Sequence, residues 1–460
     1  MCGAAGAVQA ATSRPNIVLI LSDDHSYPFL GCYGDLVLRT PNFDRFAASG
    51  MRFDRGFTTA PQCVPSRTSL LTGRSPIAAR MGRFNAPLPP DIPTLPEWLR
   101  PMNYYTGICR RHFHLDGSPV GPVSEKLYGA MRTFDRRVDF LDLDSPRAET
   151  RNKLDAFFEQ RPKDRPFFLW VNFNDPHHPW DRNALSPAHD PAKIPIPRYL
   201  PDLPGVRGDL ARYYDEIGRM DEEFQWVLDA LDRRGLAANT LVLFMGDNGL
   251  AFPSGKGSLH DPGLHVPLLV RWPGVVKPGT VTRELISGED IPVTLLAAAG
   301  GVAPKECTGR SFLPLLRSES YQGRDYIFGE RSTHSAPTVY DEKTTAAGWD
   351  LSRCIRSQRY KLIYNCTPHM RYEPVNSAGE AYWREMVAAH ERGQLAREFE
   401  TLYFNPKRPI IELYDLEKDP AELTNLAGRP EMAEIERELK IAMVKRMVAT
   451  WDFVPFPIRV

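Results

Sequence analysis

Four apolar runs that stop abruptly in polar clusters constrain the fold of this chain more than any other feature. Residues 16–25 read NIVLILSDDH and end in Asp23, Asp24 and His25. Residues 166–180, PFFLWVNFNDPHHPW, end in Asn174, Asp175, His177 and His178. TLVLFMGDNG (240–249) ends in Asp247 and Asn248, and YYTGICRRHFHLDG (104–117) ends in Arg110, Arg111, His112 and His114. Continuous Val/Ile/Leu/Phe runs of this length predict strands buried on both faces of a mainly parallel sheet. Helical periodicity lies between them, clearest over 207–235, where Leu210, Tyr214, Ile217, Phe224, Val227, Leu228 and Leu231 share a face and Gly235 closes the helix. Strand–helix alternation predicts a doubly wound α/β layer, whose ligands bind beyond the carboxyl ends of the strands. One such cluster alone reads as a solvated loop. Four at one edge read as a site.

The character changes after about residue 320. RSQRYKLIYN (356–365) and PIIELYDL (409–416) read as strands of an antiparallel sheet, 429–448 as an amphipathic helix, and 370–408 as a polar, aromatic-dotted stretch without period. The expected division is a leader remnant or disordered tail at 1–13, a catalytic α/β domain at 14–325, and a smaller α+β subdomain at 326–460.

With 57 basic and 57 acidic side chains, the chain has no general attraction for nucleic acid or an anionic membrane, so an anionic substrate must be gripped locally. Its longest apolar runs are too short to span a bilayer. The first thirteen residues, MCGAAGAVQAATS, carry a small-x-small pattern suited to a cleavage site, which predicts export to a periplasmic, secreted or lysosome-like compartment. Cys2 before Gly3 is alternatively a lipidation site, and a plain disordered tail is the third reading. The seven cysteines form no C-x-x-C pair, which argues against structural zinc. An exported chain has room for one or two disulfides.

Asp23, Asp24, Asp247 and Asn248 offer an all-oxygen ligand set, suited to Ca²⁺, or less well Mg²⁺, rather than zinc. Adjacent carboxylates repel unless a cation or proton neutralises them. The competing reading is helix capping by Asp23 and Asp24 and a simple turn at DNG. In APQCVPSRTSLLTG (60–73), Pro65 suits a first helical turn and Gly73 an end, which places Cys63 at a helix amino terminus and Arg67 one turn on. Cys63 then reads either as a small buried helix-capping residue or as a low-pKa nucleophilic thiolate.

A third reading comes from likeness. CVPSR matches C-x-P-S-R, and the chain resembles the type I sulfatases, in which that cysteine is oxidised to formylglycine. PNIVLILSDDH, TPNFDRFAASGMRFDRGFTTAPQC, LVLFMGDNG, VPLLVRWPG and ELYDLEKDPAELTNLA follow the family's landmarks in order over nearly the whole chain. AFPSGKGSL, RSQRYKLIYN and TWDF bring it nearest to the sulfamidases, which remove N-linked sulfate from glucosamine. The resemblance implies an alkaline-phosphatase-like fold and maturation by a formylglycine-generating enzyme. It also implies Ca²⁺ held by Asp23, Asp24, Asp247, Asn248 and an oxygen of modified residue 63. Arg67 would orient the formylglycine hydrate, Lys256 would hold sulfate oxygens, and His177 would protonate the leaving group. The family's Gly-Lys-x-His is altered here to Arg110-Arg111-His112-Phe113-His114; His114 takes the base role, and Arg111 and His112 compete as the sulfate contact.

The implied activity is removal of sulfate, as O-ester or N-sulfate, from a glycosaminoglycan-like or other glycan. One hydroxyl of the hydrate attacks sulfur while the other remains for release of the sulfate. Two rivals stand: a phosphonate monoesterase or phosphodiesterase of the same superfamily, and a non-catalytic glycan-binding protein on this scaffold. Candidate sugar contacts are His178, Trp180, His260, His265 and His334, each of which has an ordinary packing role as its simpler explanation.

Overall fold

The computed structural model describes residues 14–82, 87–111, 133–142, 145–333 and 349–454. Its strands are β1 (Asn16–Ser22), β2 (Met51–Phe53), β3 (Gly56–Phe57), β4 (Tyr105–Arg110), β5 (Phe140–Leu141), β6 (Phe167–Asn172), β7 (Thr240–Gly246), β8 (Leu268–Arg271), β9 (Thr280–Thr282), β10 (Ile286–Ser287), β11 (Ile327–Thr333), β12 (Trp349–Arg356), β13 (Tyr360–Asn365) and β14 (Ile411–Asp415). An eight-stranded sheet runs β5-β4-β6-β1-β7-β8-β2-β9. Its first five strands are mutually parallel, and β8 runs antiparallel to both neighbours.

Both faces of the parallel part are covered, which is why these strands are apolar without alternation. Ile17, Leu19, Leu21, Trp170, Leu243 and Met245 point into one core. Val18, Ile20, Leu169, Val171, Val242 and Phe244 point into the other. The principal helices are α1 (Pro41–Ala48), α2 (Cys63–Thr72), α3 (Thr150–Gln160), α4 (Pro204–Asp232), α5 (Asp261–Leu264), α6 (Asp290–Ala298), α7 (Ala381–Glu391) and α8 (Ala433–Ala449). Helix α4 starts at Pro204, whose fixed φ suits a first turn; it packs in the second core, and α2 and α6 pack in the first. No helix of the described residues is long and apolar enough to cross a membrane.

The C-terminal region holds a four-stranded antiparallel sheet, β11-β12-β13-β14, with α8 packed on it. Two sequence expectations change here. Residues 356–365 are not one strand: Arg356 ends β12, and a turn in which Ser357 N donates to Tyr360 O at 2.8 Å leads into β13. The aperiodic stretch 370–408 contains α7, which buries Tyr382, Trp383, Met386 and Ala389 against the α4 core. That stripe is narrow and interrupted by charges, so it left little periodic signal.

Register fixes the site. Ser22 lies opposite Gly246, Leu21 opposite Asn172, and Arg110 opposite Asn172. Strands β1, β4, β6 and β7 therefore end together, and the residues that follow them gather at one edge.

Candidate active site

Asp23 and Asp24 leave β1, and Asp247 and Asn248 leave β7; all four are fully buried. Asp24 adopts a left-handed φ of 62°, which turns its backbone N–H onto Asp247 Oδ1 at 3.0 Å. Asn248 N donates to the same oxygen at 2.7 Å. The three carboxylates meet three cations. Arg67 donates through Nε to Asp247 Oδ2 (2.9 Å) and lies 3.0 Å from Asp23 Oδ2 through Nη2. Lys256 Nζ stands 2.8 Å from Asp24 Oδ1, and Arg111 Nη1 stands 2.8 Å from Asp23 Oδ2.

Cys63 is the first residue of α2, and its thiol lies 3.3 Å from Asp23 Oδ1 and 3.9 Å from Asp24 Oδ1. One turn on, Arg67 projects from the same face. Gly73 ends this helix in the left-handed conformation at φ 64°, where a glycine carries no Cβ penalty. Burial first, and then the Asp23 carboxylate, push the Cys63 thiol well above its ordinary pKa. For the unmodified side chain, burial and Asp23 thus work against the low-pKa thiolate.

His177 enters from the loop after β6. Its Nε2 lies 3.2 Å from Lys256 Nζ and 3.8 Å from Asp24 Oδ2. Burial, then the Lys256 ammonium, lower its pKa to about 4, so the ring is neutral near pH 7 and Nε2 accepts from Lys256.

The donor set suits a hard cation. Asn248 Oδ1 is buried and has no hydrogen-bond partner among the described residues, while its Nδ2 donates to Asp24 Oδ1 at 2.8 Å. Burial and then Asp23 push the Asp247 carboxyl above its usual range, the repulsion a cation would relieve. Ligand atoms of Asp23, Asp24, Cys63 and His177 lie within 4.8 Å of one another. An oxygen-rich cradle with an orphaned amide oxygen fits Ca²⁺ or Mg²⁺.

The remaining sequence candidates fall elsewhere. His178 Nε2 pairs with Glu380 at 2.7 Å. Trp180 stacks on Phe252 with ring centroids 4.7 Å apart. His265 stacks on Tyr27 at 3.9 Å and on Phe57 at 4.5 Å. His260 faces the antiparallel sheet, 3.2 Å from Glu412 Oε2. His112, His114 and His334 lie outside the described residues. Among the described residues the cysteines at 32, 63, 109, 307, 354 and 366 are free thiols, so none forms a disulfide there.

Sequence reasoning missed the supports behind the site. Tyr213 of α4 donates from its hydroxyl to Asp24 O at 3.1 Å and accepts from Ser26 N at 3.2 Å. Ser66 donates to the Asp247 carbonyl. Glu223 accepts from Arg110 Nε at 2.9 Å, fixing the residue before Arg111. None of the three carries a local sequence signal, since each acts on a residue distant in the chain.

A mainly parallel sheet with this cluster at its carboxyl edge, and a second antiparallel sheet behind it, defines the alkaline-phosphatase-like class of hydrolase. A phosphonate monoester hydrolase from Silicibacter pomeroyi shares the fold, with a TM-score of 0.73 and 20% identity over 96% of each chain. The chain belongs to the sulfatase family, whose Sulfatase domain matches residues 15–302. The C-terminal region of N-sulphoglucosamine sulphohydrolase matches residues 254–376. Human N-sulphoglucosamine sulphohydrolase is 30% identical, over 96% of this chain and 90% of its own. An ulvan-active sulfatase of Formosa agariphila is 29% identical, over 96% and 76% respectively. The protein is thus a sulfuric ester or sulfamide hydrolase.

Proposed function

We propose that the protein removes sulfate from a sulfated saccharide, using residue 63 as formylglycine and a bound Ca²⁺. The observation that carries this reading is the burial of Cys63 at the start of α2, with its thiol 3.3 Å from Asp23 and 3.9 Å from Asp24 and Arg67 one helical turn on. Both relatives named above act on sulfated carbohydrate by name, and this supports a glycan substrate. Residues 14–325 would form the catalytic domain and 326–460 the subdomain that braces it.

Asp23, Asp24, Asp247 and Asn248 would hold the cation, which supplies charge neutralisation at the sulfate oxygens and lowers the pKa of a bound hydroxyl. Formylglycine supplies, as its hydrate, the nucleophile that a protonated thiol is not. The rest falls to ordinary side chains. Arg67, fixed by Asp23 and Asp247, keeps its Nη1 buried without a hydrogen-bond partner among the described residues, where it would charge-stabilise residue 63. Lys256 and Arg111 hold sulfate oxygens. His177, whose Nε2 stands 3.2 Å from Lys256 Nζ, would assist protonation of the departing alcohol or amine, with the Lys256 ammonium as a second donor beside it. His114 keeps the proposed base role, and His112 remains the alternative to Arg111 as sulfate contact.

Two measurements test this. Mass spectrometry of natively matured protein should show formylglycine at position 63, and unmodified cysteine in fully active protein would refute the assignment. Sulfate release should be measured across N- and O-sulfated saccharides before and after chelation. Turnover untouched by chelation would remove the cation from the reaction. The shared fold of the phosphonate hydrolase keeps that activity as the second reading, and phenyl phosphonate hydrolysed faster than any sulfate would favour it.

A further inference from the structure

His177 sits on the loop after β6, and that loop is gripped from outside the site. Arg219, midway along α4, donates to Asp175 in a fork, Nε to Oδ2 and Nη2 to Oδ1, both at 2.8 Å. Its remaining nitrogen, Nη1, donates to Asp181 Oδ2 at 2.8 Å. The neighbouring Glu216 accepts from Asp181 N at 2.7 Å. One helix face thus holds both ends of the segment 175–181. Asp175 is also tied to the cradle, because its carbonyl accepts from Asp23 N at 3.2 Å. Asp175 is 6% exposed, so its charge needs this partner.

We propose that Arg219 is a positioning residue for leaving-group protonation. Its fork fixes Asp175, and through Asp175 it fixes where His177 Nε2 stands against Lys256 and the bond being cut. The inference rests on the role of His177 proposed above. Arg219 itself makes no contact with Cys63, Lys256 or the carboxylates of the cradle among its described hydrogen bonds and ion pairs. A planar guanidinium is suited to this task because a lysine cannot occupy both Asp175 oxygens and Asp181 together.

The test uses the full-length matured protein and a series of phenyl sulfates graded from 4-nitrophenyl, whose leaving group departs without a proton, to unsubstituted phenyl, which benefits from one. Arg219→Gln should lower kcat for phenyl sulfate by roughly 10²-fold, the scale of general acid catalysis, and for 4-nitrophenyl sulfate by less than about threefold. Arg219→Lys should fall between the two and show the same steepening. It also serves if Arg219→Gln does not fold. An equal loss across the series in a folded variant, or no loss, overturns the proposal. A wild-type protein that releases sulfate neither from this series nor from the N- and O-sulfated saccharides would instead overturn the sulfatase mechanism itself, so the two failures are distinguishable.

Discussion

Asp247 shows how much geometry a single carboxylate sets here. Its two oxygens accept from Asp24 N, Asn248 N and Arg67 Nε, at 3.0, 2.7 and 2.9 Å. Every one of these partners is a donor. Asp247→Asn keeps the shape but turns an NH₂ group toward one of them, leaving a buried donor facing a donor. The variant should fold, lose the rise in Tm that added Ca²⁺ gives the chelated wild type, and turn over about 10²–10³-fold more slowly. A variant that keeps the full calcium-dependent Tm shift would show that Asp247 is not a ligand. At Arg111, 2.8 Å from Asp23, substitution by Gln should cost about 10²-fold in kcat/KM. A smaller loss than in His112→Gln would pass the sulfate contact to His112.

At the scale of elements, α4 is the rack on which the site loops hang. Tyr213 holds the Asp24 turn, Arg219 the His177 loop and Glu223 the Arg110 turn. On the same helix, burial and then the nearby Asp175 push the Glu216 carboxyl well above the usual carboxylate range. A carboxyl raised on folding binds its proton better in the native state. Its stabilisation is complete below the unfolded value near 4.5 and is lost as pH rises toward the raised folded value. For one proton the loss is at most about 1.4 kcal/mol per pH unit. Glu216→Gln mimics the protonated acid and can still accept from Asp181 N. Its Tm relative to wild type should therefore climb between pH 5.5 and 8.5. A constant difference across that range would mean that Glu216 is already ionised in the folded protein.

The same helix shows what could be read from sequence. The strands were legible because burial on both faces leaves unbroken apolar runs, and the candidate metal ligands were legible because they follow those strands directly. Cys63 and Arg67 were legible as one helical turn. Tyr213 and Arg219 were not, since each acts on a loop tens of residues away in sequence, and no local pattern encodes that contact. Helix α7 was missed for a related reason: its four buried side chains acquire meaning only against the α4 core.

Across the whole molecule, the antiparallel sheet braces the catalytic edge through buried charge. Asp261 opens α5, five residues after Lys256. Against burial, which works to raise it, Arg356 and Lys361 hold its carboxyl well below the usual carboxylate range. Lys361, fully buried on β13, stands 2.5 Å from Asp261 and 2.9 Å from Glu422, while Arg356 of β12 stands 3.1 Å from Asp261. Glu422 closes the ring by accepting from Asp261 N. A buried pair contributes little net stability against an apolar substitute, but removing one partner strands the other at a cost of about 3–5 kcal/mol. Lys361→Met should accordingly lower Tm sharply and reduce kcat, because the loop from Lys256 to Asp261 loses its anchor. Adding Glu422→Gln to that variant removes the stranded charge while Arg356 still serves Asp261. The double variant should recover most of the lost Tm, a coupling readable as a double-mutant cycle. Simple addition of the two single effects would mean that Lys361 and Glu422 act independently.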